Sequence, residues 1–206
     1  MSNPKKQGRY HHGDLRQAVI DAALQLIAEQ GIESLTLREI AQRVGVSRMA
    51  PYRHFENKAV LLAVLAQEGF QALFVHIQAT LAKSSSQPLE RLQALGVAYI
   101  FYAVENPVHY RVMFDASLSN RTLYPPLYET AVKSFDCLVE VLIKCQNAGL
   151  IGGGDPKELA QINWSLCHGL AMLLIDQQFI TMGHAPVEEL ANTALKTIIE
   201  GLKNSK

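Results

Sequence analysis

The stretch AVIDAALQLIAEQGIESLTLREIAQRVGVSRMAPYRHFENKAVLL, residues 18–62, decides the fold of this chain. Its apolar residues recur at the three- and four-residue spacing of helices that are packed by one face. Gly31 and Gly45 interrupt that spacing, and glycine tolerates the positive φ angles of tight turns. The stretch therefore predicts short helices separated by glycine turns.

Polar residues that favour helix starts precede each of these predicted helices. Asp14 is expected to cap the first, and Thr36 opens a capping-box pattern at the second. Ser47 is expected to cap a third helix that ends at about Phe55, and Asn57 a fourth. Residues near 36–55 thus have the anatomy of a helix-turn-helix.

The third predicted helix has two distinct faces. Pro51 and Phe55 lie four residues apart and face inward, although Pro51 removes one hydrogen bond and is expected to shape the first turn. Guanidinium groups bind guanine or phosphate, and phenols bind phosphate, when a helix enters the DNA major groove. Such groups, with one methionine, stand on the other face: Arg48, Met49, Tyr52 and Arg53. An ordinary helical hairpin with a glycine turn is the alternative.

The charge distribution is compatible with DNA binding. The whole chain has 19 Lys and Arg and 19 Asp and Glu. Residues 1–60 have a net charge of +3 and residues 61–206 of −3. A basic front suits a DNA-contacting module on a body that avoids DNA, although three charges alone are a weak signal.

The remainder of the chain also follows helical spacing, without strand alternation or an internal repeat. Further helices are predicted over residues 89–105, 107–114, 126–148, 156–181 and 186–202. The predicted fold class is all-α with about nine helices. The predicted domains are a flexible basic arm (1–13), a three-helix helix-turn-helix DNA-binding domain (14–56) and a helical ligand-binding and dimerisation domain (57–206).

No signal peptide or membrane span is predicted, so we expect a cytoplasmic protein with no membrane partner. The longest uninterrupted apolar stretch, 169–175, is far shorter than the roughly 18 residues of a span. Cys137, Cys145 and Cys167 lack metal-ligand spacing and are expected to be reduced and buried. No metal and no cofactor are predicted.

Residues 16–62 resemble the DNA-binding region of the tetracycline-repressor (TetR) family of bacterial regulators, over the stretches 18–47 and 52–62. The arm YHHGDLR (10–16) and the segment around Trp164, His168 and Gly169 resemble the subgroup whose C-terminal domain is named for a Trp-His-Gly pattern. The resemblance implies a homodimer that binds a near-palindromic operator, usually as a repressor released by a small molecule.

The resemblance also implies roles for individual residues. Base-edge contacts are implied at Met49 and Arg53, and Met49 suits a thymine methyl group because it cannot hydrogen-bond to a base. Phosphate contacts are implied at Thr36, Ser47, Arg48, Tyr52, His54 and Lys58.

Aromatic and soft side chains in the second half of the chain are candidates to line a ligand cavity, although such stripes are more often core. The candidates are Tyr99, Tyr102, His109, Met113, Phe114, Tyr128, Phe135, Trp164, His168 and Met172. The last two helices, about 156–181 and 186–202, are expected to form a two-fold four-helix dimer interface.

Three other interpretations have weaker support. Cys167 and His168 are adjacent, so on a helix they point about 100° apart and cannot act as an enzymatic nucleophile–base pair. A relative that no longer binds DNA is disfavoured by the intact set Arg48, Tyr52, Arg53 and Lys58. His11 and His12 lack a third metal ligand, and a DNA-contacting or disordered arm explains them better.

Overall fold

The computed structural model describes residues 12–179, 183 and 185–204. Over these residues the chain forms eight α-helices and three short 3-10 segments, without strands, so the all-α prediction is confirmed. The 3-10 segments are Pro51–Arg53, Ala116–Leu118 and Arg121–Leu123. The helices are α1 (His12–Gln30), α2 (Leu37–Val44), α3 (Lys58–Lys83), α4 (Pro88–Glu105), α5 (Pro107–Met113), α6 (Pro125–Asn147), α7 (Pro156–Ile175) and α8 (Val187–Asn204).

Local capping fixes the beginnings of α2 and α3 as predicted. The backbone N–H of Glu39 donates to Thr36 Oγ1 at 3.2 Å, and that of Val60 donates to Asn57 Oδ1 at 3.0 Å. Each bond satisfies a donor that the first helical turn leaves free. Gly45 follows α2 with a φ of +77°, the left-handed conformation that the glycine turn requires.

Two predicted helix ends are wrong. The first helix begins at His12, so Asp14 lies inside it and does not cap it. The part of the predicted arm at residues 1–11 lies outside the described residues. Helix α7 ends at Ile175, earlier than the predicted residue 181, and Gln177 beyond it has a φ of +55°.

Segment 47–55 differs most from the prediction, because it is not a regular α-helix that Ser47 caps. The backbone N–H of Ala50 donates to the carbonyl of Ser47 at 2.9 Å, and that of Arg53 to the carbonyl of Ala50 at 3.2 Å. Pro51 has no N–H with which to bond Ser47 across four residues, so the shorter three-residue bonds of a 3-10 turn take over.

Helix α3 is the centre of the molecule. It packs against α4, α5 and α6, while α4 packs against α7 and α8. One buried apolar cluster extends from Val19 in α1 to Ile199 in α8. By length and composition α3 is also able to cross a membrane, but half of its most apolar window is buried inside the fold, and core helices of water-soluble proteins pass the same test.

A glycine allows α4 and α8 to approach closely. A Cβ atom on Gly96 would overlap Cδ1 of Leu195, which is fully buried. A side chain at position 96 would therefore force the two helices apart or distort Leu195.

We predict that Gly96→Ala lowers the free energy of unfolding by about 1–3 kcal/mol, the usual cost of overpacking a core. The control is Gly201→Ala in α8, where an added Cβ meets nothing within 4 Å. That control should keep or slightly raise stability, because alanine favours helix over glycine by about 1 kcal/mol. Urea denaturation tests both, and a Gly96→Ala variant as stable as the wild type would contradict this packing.

Candidate nucleic-acid interface and internal cavity

Segment 47–55 has the inward and outward faces that the sequence predicts. Pro51 and Phe55 are buried, and Phe55 packs under the guanidinium of Arg16, whose Cζ lies 5.5 Å from the ring centroid. Met49 is 66% exposed and Tyr52 46% exposed. The outward face consists of Arg48, Met49, Tyr52 and Arg53, all exposed.

The other predicted phosphate contacts surround this face in different environments. Thr36 and Ser47 are exposed, but the Thr36 hydroxyl also donates to Glu39 Oε2 at 2.8 Å. His54 is half-buried, and its Nε2 is buried without a hydrogen-bond partner among the described residues. A phosphate contact by His54 therefore requires its other ring atoms or a rotation of the ring.

Lys58 links the start of α3 to the turn between α1 and α2. Its Nζ donates to the carbonyl of Ile32 at 2.6 Å and to that of Glu33 at 2.9 Å. An ammonium group has three donors, so one remains for a phosphate. Sequence analysis missed this tie, because partners 25 and 26 residues apart leave no local pattern.

We predict that Lys58→Ala lowers the free energy of unfolding by about 1.5–3 kcal/mol, the usual contribution of hydrogen bonds to a charged donor. Tyr52→Phe is the control, because the Tyr52 hydroxyl has no partner among the described residues, and it should unfold like the wild type. Thermal denaturation without DNA measures both. Unchanged stability in Lys58→Ala would mean that Lys58 does not hold the turn.

A cavity of about 410 Å³ lies between α3, α4, α6 and α7, within the usual size range of small-molecule sites. Helix α3 contributes Phe70, Leu73 and Ile77 to its wall. Five of the ten predicted ligand-contacting residues line it: Tyr99, Phe114, Tyr128, Phe135 and Trp164. The other five do not: Tyr102, His109, Met113, His168 and Met172.

Most of these five residues pack elsewhere in the helical body. The Tyr102 hydroxyl donates to the carbonyl of Gly69 at 2.8 Å, and burial raises the pKa of Tyr102 to about 12. Met113 is fully buried against Gly69, where a Cβ would lie 2.8 Å from its Sδ. Burial lowers the pKa of His109, and Met172 is partly buried against the core.

His168 belongs to a hydrogen-bonded chain beside the cavity. Trp164 Nε1 donates to the Tyr99 hydroxyl at 2.9 Å, the hydroxyls of Tyr99 and Tyr110 lie 2.6 Å apart, and that of Tyr110 lies 2.7 Å from His168 Nδ1. Because indole only donates, a consistent direction runs from Trp164 to a neutral His168 that accepts at Nδ1. Burial lowers the pKa of His168, which favours that neutral form.

Polar members of the cavity wall were missed by sequence analysis. Arg121 and Asn163 both line the cavity, and neither stands in a motif that would have identified it. Within the described part of the chain, no three His, Cys, Asp or Glu side chains are grouped so that they could hold a metal ion.

Family models match both halves of the chain. One, for the tetracyclin repressor-like C-terminal domain, covers residues 92–198, which is more than half of the chain. The other, for bacterial regulatory proteins of the tetR family, covers residues 19–65. The chain belongs to the TetR family. These matches do not single out the Trp-His-Gly subgroup.

Relatives match this TetR-family chain either over a short stretch or over nearly its whole length. The class D tetracycline repressor of Escherichia coli is 49% identical over 53 residues, 26% of this chain and 24% of the repressor. The match thus spans about a quarter of that repressor. The transcriptional regulator YobS of Bacillus subtilis is 23% identical over 195 residues, 92% of this chain and 93% of YobS.

Solved structures share the whole fold. A protein of unknown function from Rhodococcus sp. RHA1 superposes with a TM-score of 0.79 and 29% identity, covering 96% of this chain and 100% of that one. AibR, in complex with isovaleryl coenzyme A and operator DNA, superposes with a TM-score of 0.70 and 22% identity over 89% of this chain and 97% of its own. At that identity, AibR shows the fold alone.

Proposed function

We propose that this protein is a cytoplasmic, homodimeric transcriptional repressor that binds a near-palindromic operator and is released by a small, largely apolar ligand. The observation that carries the proposal is the course of α3. This helix begins beside the exposed face of segment 47–55 and then forms one wall of the cavity. The DNA-contacting face and the ligand cavity therefore share a structural element.

On DNA, segment 47–55 enters the major groove. Arg53 hydrogen-bonds to a base edge, with guanine the best partner for a guanidinium group, and Met49 contacts a thymine methyl group. The surrounding residues bind the phosphate backbone and fix the register: Thr36, Ser47, Arg48, Tyr52, His54 and Lys58. The exposure of Arg48, Met49, Tyr52 and Arg53 supports these roles.

Two arginines on the same face allow a matched test. We predict that Arg53→Ala weakens binding to a site selected by the wild-type protein by about 1–3 kcal/mol, with a smaller loss on random DNA. Arg48→Ala should weaken binding to both DNAs equally. It should also reduce the slope of log affinity against log salt concentration by about one unit, since one fewer counterion is released. Lys144→Ala is the control, because it removes an exposed charge in α6; it should change neither the affinity for the two DNAs nor the salt dependence.

Fluorescence anisotropy across a range of salt concentrations separates these outcomes. Equal losses of Arg53→Ala on selected and random DNA would show that Arg53 contacts phosphate and not a base.

The dimer interface is expected on the outer face of α7. Ile162 and Leu166 are 60% and 54% exposed, Leu173 continues the same stripe, and Gly169 between them faces open space. An apolar stripe of this kind marks an interaction site, and a two-fold axis pairs it with itself. The buried face of α8, which includes Leu195, packs against α4 in the same subunit. Helix α8 is therefore expected at the side of the interface and not at its centre.

We predict that Leu166→Lys converts the dimer to a monomer in analytical ultracentrifugation and weakens operator binding, since it places a charge at the two-fold contact. Val75→Lys is the control, because Val75 is similarly exposed but lies on α3. A Leu166→Lys protein that remains dimeric would exclude this face as the interface.

Release from DNA follows from the position of α3. A ligand in the cavity presses on Phe70, Leu73 and Ile77, and the start of α3 is tied through Lys58 to the turn before α2. Movement of α3 therefore shifts the two DNA-contacting faces relative to each other. Ligand and DNA must then oppose each other reciprocally. Membership of the Trp-His-Gly subgroup stays a prediction.

A further inference from the structure

We propose that the ligand of the cavity carries a carboxylate, which Arg121 binds, on an apolar body. The inference rests on the proposed ligand-sensing function and specifies its ligand class. It depends on one charged side chain and two unpaired donors in a wall that is otherwise mainly apolar.

Arg121 is held at the cavity by its surroundings. It begins the short 3-10 segment Arg121–Leu123 between α5 and α6, and its Nη2 donates to the carbonyl of Met113 at 3.0 Å. Its Cζ lies 4.9 Å from the ring centroid of Phe70 and 5.6 Å from that of Phe114. These contacts place the guanidinium group on the wall formed by the aromatic side chains.

No acidic side chain of the described residues compensates this charge. Of the residues that line the cavity, Arg121 is the one with a charged side chain, and it forms no ion pair with any described residue. Burial lowers the pKa of its guanidinium, although arginine stays protonated in proteins. A desolvated charge without a counter-charge is unfavourable, so an anion in the cavity is favoured.

Two buried N–H donors in the wall also lack acceptors. Nε of Arg121 and Nδ2 of Asn163 have no hydrogen-bond partner within the described chain, and Asn163 is only 2% exposed. Buried polar groups in folded proteins are nearly always paired. An ionised carboxylate has only acceptors and pairs well with guanidinium. Both donor atoms are covered in this structure, so each side chain must rotate to bring its N–H to a carboxylate in the cavity.

A purely structural role accounts for only part of this arrangement. Such a role explains the bond from Nη2 to Met113 and the stacking on Phe70 and Phe114. The stacking draws on the positive charge, but among the described residues it supplies neither a counter-ion nor an acceptor for Nε. The uncompensated charge and the unpaired donor are what a ligand would complete.

The cavity favours a monoanion over a phosphate ester. A phosphate monoester carries close to two negative charges, whereas the wall supplies one positively charged side chain, so a monoanion matches the charge of the wall better. Most of the rest of the wall is aromatic or aliphatic, as at Trp164 and Phe135. A carboxylic acid with an alkyl or aryl body fits both features.

The test compares decanoate with decanamide, which have the same length and differ in charge. Isothermal titration calorimetry on the full-length protein should give a Kd for decanoate at least about tenfold lower than that for decanamide. Arg121→Gln should abolish this preference by weakening decanoate binding, while decanamide affinity stays within about threefold.

Arg91→Gln is the matched control. Arg91 also donates to a backbone carbonyl, that of Leu81 at 2.9 Å, but it does not line the cavity. The preference for decanoate should therefore survive in this variant. A second variant, Asn163→Asp, adds a negative charge of the same shape to the wall and should weaken decanoate binding by at least about tenfold, with decanamide little changed.

Equal affinity of the wild type for the two compounds, binding of neither, or a preference that persists in Arg121→Gln would overturn the inference. If Arg121→Gln does not fold, the Asn163→Asp variant is the deciding test. An unchanged affinity of Asn163→Asp for decanoate would then overturn the inference. Operator binding is measured separately. Decanoate that binds through Arg121 without weakening operator binding would support the carboxylate site and contradict the release mechanism.

Discussion

The continuity of α3 is the constraint on which the arrangement of the molecule depends. Its first turn is fixed by Asn57 and by the two carbonyl contacts of Lys58, and its middle forms both the core against α5 and α6 and one wall of the cavity. A break in this helix would leave the part that contacts DNA and the part that encloses the cavity joined mainly by the smaller contact between α1 and α5. Because packed helices shift as units and do not deform continuously, an event at the cavity has a direct mechanical route to segment 47–55.

Three features of the described chain are not needed for the folding of one subunit. Met49 and Leu166 are large apolar side chains that face solvent in one subunit, and Arg121 is a charge without a counter-ion at a mainly apolar cavity. Other large apolar side chains, such as Leu123 and Val75, are also exposed, while helices are capped and the apolar core is continuous. Local conflicts with ordinary folding rules are expected at functional sites. Met49, Leu166 and Arg121 lie on the proposed surfaces for DNA, for the second subunit and for the ligand.

The features that could be predicted from the sequence are those set by interactions between residues close together in the chain. Thr36, Asn57 and Gly45 determine local structure through bonds within a few residues, and the two faces of segment 47–55 follow from helical spacing. Long-range contacts were not predictable in this way: the tie from Lys58 to the turn before α2, the place of Arg121 and the five aromatic or soft residues that pack outside the cavity wall. The 3-10 geometry imposed by Pro51 was underestimated. An apolar stripe, such as that of α8, also does not reveal which neighbour covers it.

The central claim is that two copies of segment 47–55 face DNA about one helical turn apart. The most direct measurement is the distance between spin labels on Glu56→Cys in the two subunits, by pulsed electron paramagnetic resonance, with and without a DNA site selected by the protein. Glu56 is exposed and follows segment 47–55, and Cys137, Cys145 and Cys167 are buried, so labelling is directed to position 56. The account predicts a distribution that narrows on DNA to roughly 34–36 Å, with allowance for the length of the labels. The absence of a measurable label-to-label distance between subunits, or a broad distance distribution that DNA does not change, would contradict it.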